Sequence, residues 1–337
     1  MAQPVLEIKD LKTTFFTENG NIPAVDHVSL EVNPGEILGV VGESGCGKSM
    51  TFLSVMGLVP TPPGKIIGGE ILFKGQDLTS APEKTMRKIR GNEIGMIFQE
   101  PMTSLNPVFT IGSQLIEGIR IHKKFSKGNA KQQAIDYLKL VGMPRPEQIL
   151  RDYPHHLSGG MRQRVMIAMA MACEPEVLIA DEPTTALDVT IQSQILKLMK
   201  RLNEETKTSV VLITHDLGVV AEVCDRVVVM YAGNVIEEGT VRSIYKSPKH
   251  PYTEGLIQSV PDMRFKSDRL YSIPGNVPKP GTIKSGCPFA PRCTYAFDRC
   301  RKDYPQLIDS ANGQRVRCFL HEHRKEKENE RDIAESK

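Results

Sequence analysis

The sequence predicts an α/β fold built on a parallel sheet. Three observations predict it. Short continuous apolar runs stop at glycine or acidic turns, as in "GEILGVVG", "VLIAD" and "SVVLIT", which is how strands buried on both faces read. Segments of helical period lie between these runs, and the alternation argues for crossover units. No apolar run approaches the roughly 18–20 residues that span a bilayer.

Taken in order, "VLEIKDLKTTF" and "VDHVSLEV" alternate apolar and polar residues, as half-buried strands do. "GEILGVVG" is the first buried strand and leads into a glycine turn. "EIGMIFQ", Glu93 to Gln99, is another short strand. From about Thr110 to Ala172 the pattern is mostly helical. One helix is expected over about Lys127–Val141 and a second from near Met161, with Pro144, Pro146 and Pro154 breaking the path between them. "VLIAD" (177–181) is a strand, Thr190–Thr206 a helix and "SVVLIT" (209–214) a strand. After about Pro248 the texture changes. "SIPGNVPKPGTIKSG" is rich in Pro and Gly, a group of cysteines follows, and from His321 the charged end is expected to fray.

The chain has 337 residues, enough for one large domain and a smaller one. Its 43 basic and 40 acidic residues leave a net charge of +3, which makes no electrostatic case for nucleic acid. "MAQPVLEIKD" lacks the basic-then-apolar pattern of a secretory signal, so a cytoplasmic location is expected. Seven cysteines are an odd count, and disulfides are the lesser expectation in a reducing compartment.

Gly42, Glu43, Ser44, Gly45, Cys46, Gly47, Lys48 and Ser49 fit G-x-x-x-x-G-K-[ST] in full, with Met50 next in the helix that follows. Glycines let the backbone wrap phosphate oxygens and point N–H groups inward. Lys48 suits the β- and γ-phosphates, and Ser49 suits Mg²⁺. The bland alternative is a plain strand-to-helix turn. Cys46 reads as a small loop residue, not a nucleophile.

A second phosphate-seeking loop comes over a hundred residues later. In "YPHHLSGGMRQRVMIAMAMA", Ser158, Gly159 and Gly160 open an apolar-periodic helix, whose free N–H groups and dipole favour an anion. In "VLIADEPTTALD", Asp181 and Glu182 end a buried strand: Asp181 suits Mg²⁺, and Glu182 suits the attacking water. A carboxylate pair capping a turn is the alternative. His215 in "LITHD" and Gln99 after "GMIF" are polar groups at strand ends, each also readable as structural.

Together these residues resemble an ABC-type ATPase subunit, from about Val5 to Gly239. Six motifs agree: Gly42–Ser49, Gln99, Leu157–Met161, Asp181–Glu182, Ala186–Asp188 and His215. The resemblance implies a P-loop NTPase with a RecA-like mixed sheet, an antiparallel β subdomain and an inserted helical subdomain at about 100–172. It implies Lys48 and Ser49 in a Walker A loop, Asp181 as the metal aspartate and Glu182 as the catalytic base. It further implies Gln99 in the Q-loop beside Mg²⁺, His215 as the switch histidine, and Ser158, Gly159 and Gly160 in the signature. Met161 stands where the commonest signature has Gln. The aromatic that stacks on adenine is expected at Phe16, with Phe15 the runner-up. In such ATPases two subunits pack head to tail, each ATP lying between the Walker A loop of one and the signature of the other. That would explain two phosphate loops in one chain.

"QEPMTSLNPVFTIGSQ", "SPKHPYTEGLIQSVP" and "GCPFAPRCTYAFDRC" extend the resemblance to about His321 and to one branch, the ATPases of dipeptide, oligopeptide and nickel importers. "MGLVPTPPGKIIGGEILFKGQDL" looks like the first of their two non-identical ATPases. The implied partners are a second ATPase subunit as a heterodimer, with a homodimer of this chain in isolation as the alternative, two membrane permeases, which would meet Gln99–Gln114, and an external binding protein. The implied place is the cytoplasmic face of the membrane. The division expected is an ATPase domain over 1–248, an extension over 249–322 and a charged tail over 323–337. Cargo stays open between peptide, preferred, and nickel. Soluble ABC ATPases acting on DNA or ribosomes, exporters and inactive regulatory subunits fit less well.

Cys287, Cys293, Cys300 and Cys318 are spaced C-x5-C-x6-C-x17-C in a Pro-rich, core-poor segment. Four thiolates suggest a metal staple. C-x2-C knuckles typical of zinc are absent, and the spacing suits a 4Fe–4S cluster better, as does the resemblance. Zn²⁺, or four reduced packed thiols, are the alternatives. Cys173 and Cys224 read as core residues.

Overall fold

The structure, a computed structural model, describes residues 3–99, 104–185, 187–260, 271–283 and 285–322. Twelve strands form two sheets among the described residues. β1 (Leu6–Thr17), β2 (Gly20–Val32), β4 (Gly64–Phe73) and β5 (Gln76–Asp77) make an antiparallel sheet in the order β2-β1-β4-β5. The alternation in β1 and β2 faces Leu6, Ile8, Leu11, Val28 and Leu30 into the core.

The second sheet holds β3 (Ile37–Val41), β6 (Ile94–Ile97), β7 (Val177–Asp181), β8 (Ser209–Thr214), β9 (Arg226–Tyr231), β10 (Asn234–Thr240), β11 (Ile308–Asp309) and β12 (Arg315–Val316). Its order is β11-β12-β10-β9-β3-β8-β7-β6, and the stretch from β9 to β6 is parallel. β3, β7 and β8 are buried at every residue, because both faces of this sheet are covered. One face packs on the antiparallel sheet and the helix Lys48–Val55; the other packs on helices through Leu115, Leu138, Val165, Leu198 and Leu202.

The three helices expected over Lys127–Val141, from near Met161 and over Thr190–Thr206 differ from expectation only at their ends. Lys127–Leu140 is capped by Ser126, whose hydroxyl accepts from Asn129 N–H. Gly159–Met171 begins two residues before Met161, where Ser158 accepts from Met161 N–H. Val189–Thr206 starts at Asp188, whose carboxylate accepts from Ile191 N–H at 2.9 Å. These are the side-chain oxygens that helix starts favour.

The segment beyond Pro248 continues the large sheet. Glu237 of β10 pairs with Val316 of β12, and Ile308 of β11 pairs with Val316 in turn. Tyr252 and Phe289 join Val227, Val229 and Tyr231 in a third apolar cluster. Among the described residues no helix is long and apolar enough to cross a membrane.

Candidate functional site

Parallel strands converge their C-terminal ends on one edge, and the site is built there. β3 runs into the Gly42–Ser49 loop. Gly42, Gly45 and Gly47 have φ of 152°, 78° and 98°, values that bar most side chains. Space is also closed: a Cβ on Gly42 would lie 2.2 Å from Met230 O, and one on Gly47 2.5 Å from Ala24 O. Lys48 is buried, and its Nζ donates to the carbonyls of Gly42 (2.7 Å) and Glu43 (3.1 Å). The ammonium thus sits inside the ring that the loop makes. Ser44 and Gly45 are exposed at its rim, and Met50 packs inward. Cys46 is fully buried, which pushes its thiol up, so it is a packed loop residue as expected.

Asp181 and Glu182 end β7. Ser49 Oγ donates to Asp181 Oδ1 at 2.9 Å. Burial raises the Asp181 carboxyl, and the charge of Glu182 adds to this, while the Ser49 hydrogen bond and Lys48 oppose it. A hydroxyl and a carboxylate this close are hard oxygen donors. They fit Mg²⁺, which takes few protein ligands and fills the rest of its shell with phosphates and water.

Glu182 has φ of 46°, a left-handed backbone that costs a non-glycine residue about 1–2 kcal/mol. Its N–H donates to Ile213 O on β8. Three side chains hold its carboxylate: Thr185 Oγ1 donates to Oε2 at 2.9 Å, Gln99 Nε2 donates to Oε2 at 3.1 Å, and His215 Nδ1 lies 3.4 Å from Oε1. Burial raises this carboxyl, but the hydrogen bonds from Thr185 and His215 and the charges of His215 and Lys48 outweigh it and hold it below its ordinary range. β8 is the neighbour of β7, so His215 arrives beside Glu182 as the strand order requires. Gln99 is placed on Glu182, and not on the Ser49–Asp181 pair. Thr185 was not legible as a site residue, although "DEPTT" carries it.

Ser158, Gly159 and Gly160 open the helix Gly159–Met171 and lie against Leu187 and Ile191. The Ser158 and Met161 cap closes on itself, and a Cβ on Gly160 would meet Ile191 at 2.9 Å. Ser158 and Gly159 are exposed. One chain therefore carries a glycine-rich loop beside an acid pair and, at the start of another helix, backbone N–H groups of anion-binding form.

The ABC transporter family model matches residues 25–185, and the model for the C-terminal region of oligopeptide/dipeptide transporters matches residues 236–300. The chain is 55% identical over 318 residues to the oligopeptide transport ATP-binding protein AppD of Bacillus subtilis, covering 94% of this chain and 97% of that one. The chain belongs to the ABC ATPases of oligopeptide and dipeptide transporters. It is also 48% identical over 314 residues to the dipeptide transport ATP-binding protein DppD of Escherichia coli, covering 93% and 96% of the two chains. Among solved structures it resembles the dimeric, post-hydrolysis ATP-binding cassette MJ0796 bound to ADP and Pi. The TM-score is 0.63 at 29% identity, covering 70% of this chain and 99% of that one. As an ABC ATPase of this branch it hydrolyses ATP in the service of transport.

Against that family frame the remaining sequence-based expectations divide. Phe16, the last residue but one of β1, is 48% exposed, whereas Phe15 is half-buried against Gly64. All seven cysteines are free. Cys173 is buried and Cys224 packs on the core, as expected. The 4Fe–4S expectation finds no support. The four tail cysteines are charge neighbours of one another, but among the described residues no group of three or more His, Cys, Asp or Glu is placed to hold a metal. Instead the sulfurs pack apolar: Cys287 and Cys293 against the Tyr252–Phe289 cluster, Cys300 beside Phe319. Burial pushes the Cys287 thiol up to about 11 and that of Cys318 to about 12, which favours the protonated forms. Within the Gln99–Gln114 segment, residues 100–103 lie outside the described residues, as do Ala186 and the tail 323–337.

Proposed function

We propose that this chain powers import of peptides, as one of two cassettes that close head to tail on ATP beneath a membrane permease. The observation that carries the reading is the division of the phosphate-binding groups. Lys48, Ser49, Asp181, Glu182, Gln99 and His215 gather at the C-terminal ends of the parallel strands, while Ser158 and Gly159 are exposed at the start of a separate helix, free to complete a second chain's site. The dimeric form of the MJ0796 cassette supports it.

In this reading the backbone of Gly42–Gly47 and the Lys48 ammonium hold the ATP phosphates, and Phe16 stacks on adenine. Ser49 and Asp181 would hold Mg²⁺, which when bound would supply positive charge against the ATP phosphates. Glu182 is ionised at neutral pH, so it orients a water and accepts its proton as the oxygen bonds to the γ-phosphorus. The bond from that phosphorus to the β-bridging oxygen breaks, and ADP and phosphate leave. Gln99 and His215 keep the Glu182 carboxylate in place. Phosphate departure removes the charge that joins the two faces, so they part.

The partners proposed are a second ATPase subunit, two permease subunits and an external binding protein, with this chain peripheral on the cytoplasmic face. Phe98 is exposed and lines a cleft with Met96, Leu105 and Met166, an apolar surface suited to permease helices, and Val108 and Phe109 are exposed as well. The domain division proposed is 1–248, with the helical part at about 100–172, then 249–322 and 323–337. Peptide cargo follows the names of AppD and DppD. A 4Fe–4S cluster on Cys287, Cys293, Cys300 and Cys318 is a second reading, carried by the sequence spacing of the four cysteines.

The deciding experiment is Glu182→Gln in the full chain. It should bind MgATP as the unmodified chain does, lose turnover by ~10²-fold or more, and sediment as a dimer with ATP but as a monomer with ADP. A variant that stays monomeric with ATP while still turning over would end the reading. Loss of labelled-peptide uptake on deletion tests the cargo; loss of nickel uptake alone would reassign it. Iron analysis and visible absorbance of anaerobically purified protein test the cluster.

A further inference from the structure

Glu43 is the second residue of the phosphate loop, and every polar group it owns is committed. Its N–H donates to Tyr252 Oη at 2.9 Å. Its carbonyl accepts from Lys48 Nζ at 3.1 Å. Its carboxylate takes both arms of one guanidinium, with Arg292 Nη1 to Oε2 at 2.7 Å and Nη2 to Oε1 at 3.1 Å. Arg292 belongs to the cysteine-bearing extension, next to Cys293 and 249 residues from Glu43 along the chain.

Arg292 is itself fully engaged. Its side chain is 5% exposed, Nε donates to Pro274 O at 2.8 Å, Nη2 also reaches Ile273 O and Nη1 also reaches Tyr231 Oη. Tyr231, Tyr252 and Phe289 pack edge to face around it. A planar fork held on all sides presents its two donors at one fixed place. A surface ion pair would contribute little, but here the guanidinium is buried beside Tyr231 and Phe289, and the Glu43 carboxylate is 32% exposed. That acceptor lies one residue from Gly42, whose carbonyl shares the Lys48 ammonium. Moving Glu43 therefore moves the ring that encloses Lys48.

We propose that Arg292, with Tyr252, is a positioning residue for ATP binding: from the C-terminal extension it fixes Glu43, and through Glu43 it presets the limb of the phosphate loop that shapes the cradle. The extension is then part of the nucleotide site and more than an appendage to it. The inference rests on the reading of Gly42–Ser49 as that cradle.

The test is equilibrium binding of a fluorescent MgATP analogue to the full chain, with thermal unfolding measured alongside. Arg292→Gln and Glu43→Gln should each raise Kd by about three- to tenfold. The double variant should be no worse than either alone, since both remove one link. Arg292→Lys, which keeps the charge without the fork, should recover part of the loss. If Arg292→Gln fails to fold, Glu43→Gln decides, because it leaves the extension's own sequence untouched. Unchanged or tighter binding in folded variants, with only the unfolding temperature lowered, would reduce Arg292 to a staple and overturn the proposal. If the unmodified chain bound no MgATP, the cradle reading would fail and take this proposal with it.

Discussion

Gly47 carries a steep steric demand on the site, and the demand is local enough to test by one methyl group. Its φ of 98° and the 2.5 Å that would separate an added Cβ from Ala24 O leave alanine no place without opening the loop. Gly47→Ala should keep the secondary structure seen by circular dichroism yet weaken MgATP binding by about tenfold or more, the equivalent of roughly 1.4 kcal/mol. Binding at the unmodified affinity would mean that the loop closes on phosphate in another shape. His250 makes a separate prediction at the same scale. Burial drives its imidazole down to about 3, and the nearby His321 adds repulsion, so the ring is neutral when folded and accepts from Tyr252 N–H at 3.0 Å. On unfolding, the ring regains the ordinary value of 6.5 and takes up a proton below it. The unfolded state then binds more protons, so the stability is fully present above pH 6.5 and is lost as pH falls from there toward 3. The limiting slope for one proton is about 1.4 kcal/mol per pH unit. His250→Asn keeps a capping oxygen but cannot titrate. Urea unfolding between pH 6.5 and 5 should show a flatter pH dependence for that variant, and parallel curves would rule the histidine out.

At the scale of elements, β10 joins the extension to the ATPase core through one buried carboxylate. Glu237 is fully buried; Oε1 accepts from Lys249 N–H at 2.6 Å and Oε2 from His250 N–H at 2.8 Å. These two donors begin the segment that places Tyr252. Glu237→Ala strands both N–H groups away from water and should cost about 2–4 kcal/mol, read as a lower urea midpoint and faster proteolysis after Pro248. Glu237→Gln keeps an acceptor and should lose less. An unchanged midpoint for the alanine variant would show that the extension docks by other contacts. The same region shows where the sequence stops being informative. β3, β7 and β8 are legible because four or five consecutive apolar residues between turns admit few other readings. β11 and β12 have two residues each, too short for any period, and they pair only because β10 offers its edge. β4 hides its alternation behind Gly64, Gly68 and Gly69, the last with φ of 88° where β1 crowds it. Lys48, Asp181, Glu182 and His215 are legible from motif spacing and strand ends. Thr185 and the Arg292–Glu43 pair are not, because their meaning lies in who meets whom across the fold.

For the whole molecule, the separation of the two phosphate-seeking loops predicts a behaviour that no single chain can show. Suppose that each ATP is enclosed by Lys48 of one chain and by Ser158–Gly160 of its mate, related by a two-fold axis. A Lys48→Ala chain then spoils the site its own loop builds and leaves its signature intact. A Gly160→Asp chain does the converse, since a carboxylate at that helix start repels the γ-phosphate and its Cβ meets Ile191 at 2.9 Å. Each variant alone makes dimers with two defective sites. Mixed, the pair makes one site from the sound halves and one from both damaged halves. Random pairing gives half of the dimers in the mixed form, each with one working site of two, so turnover should return to about one quarter of the unmodified rate. The rate per chain should also rise with total chain concentration until dimers saturate. Mixing that restores nothing, with both variants folded and able to associate, would mean that the Ser158–Gly160 helix start does not complete a partner's site.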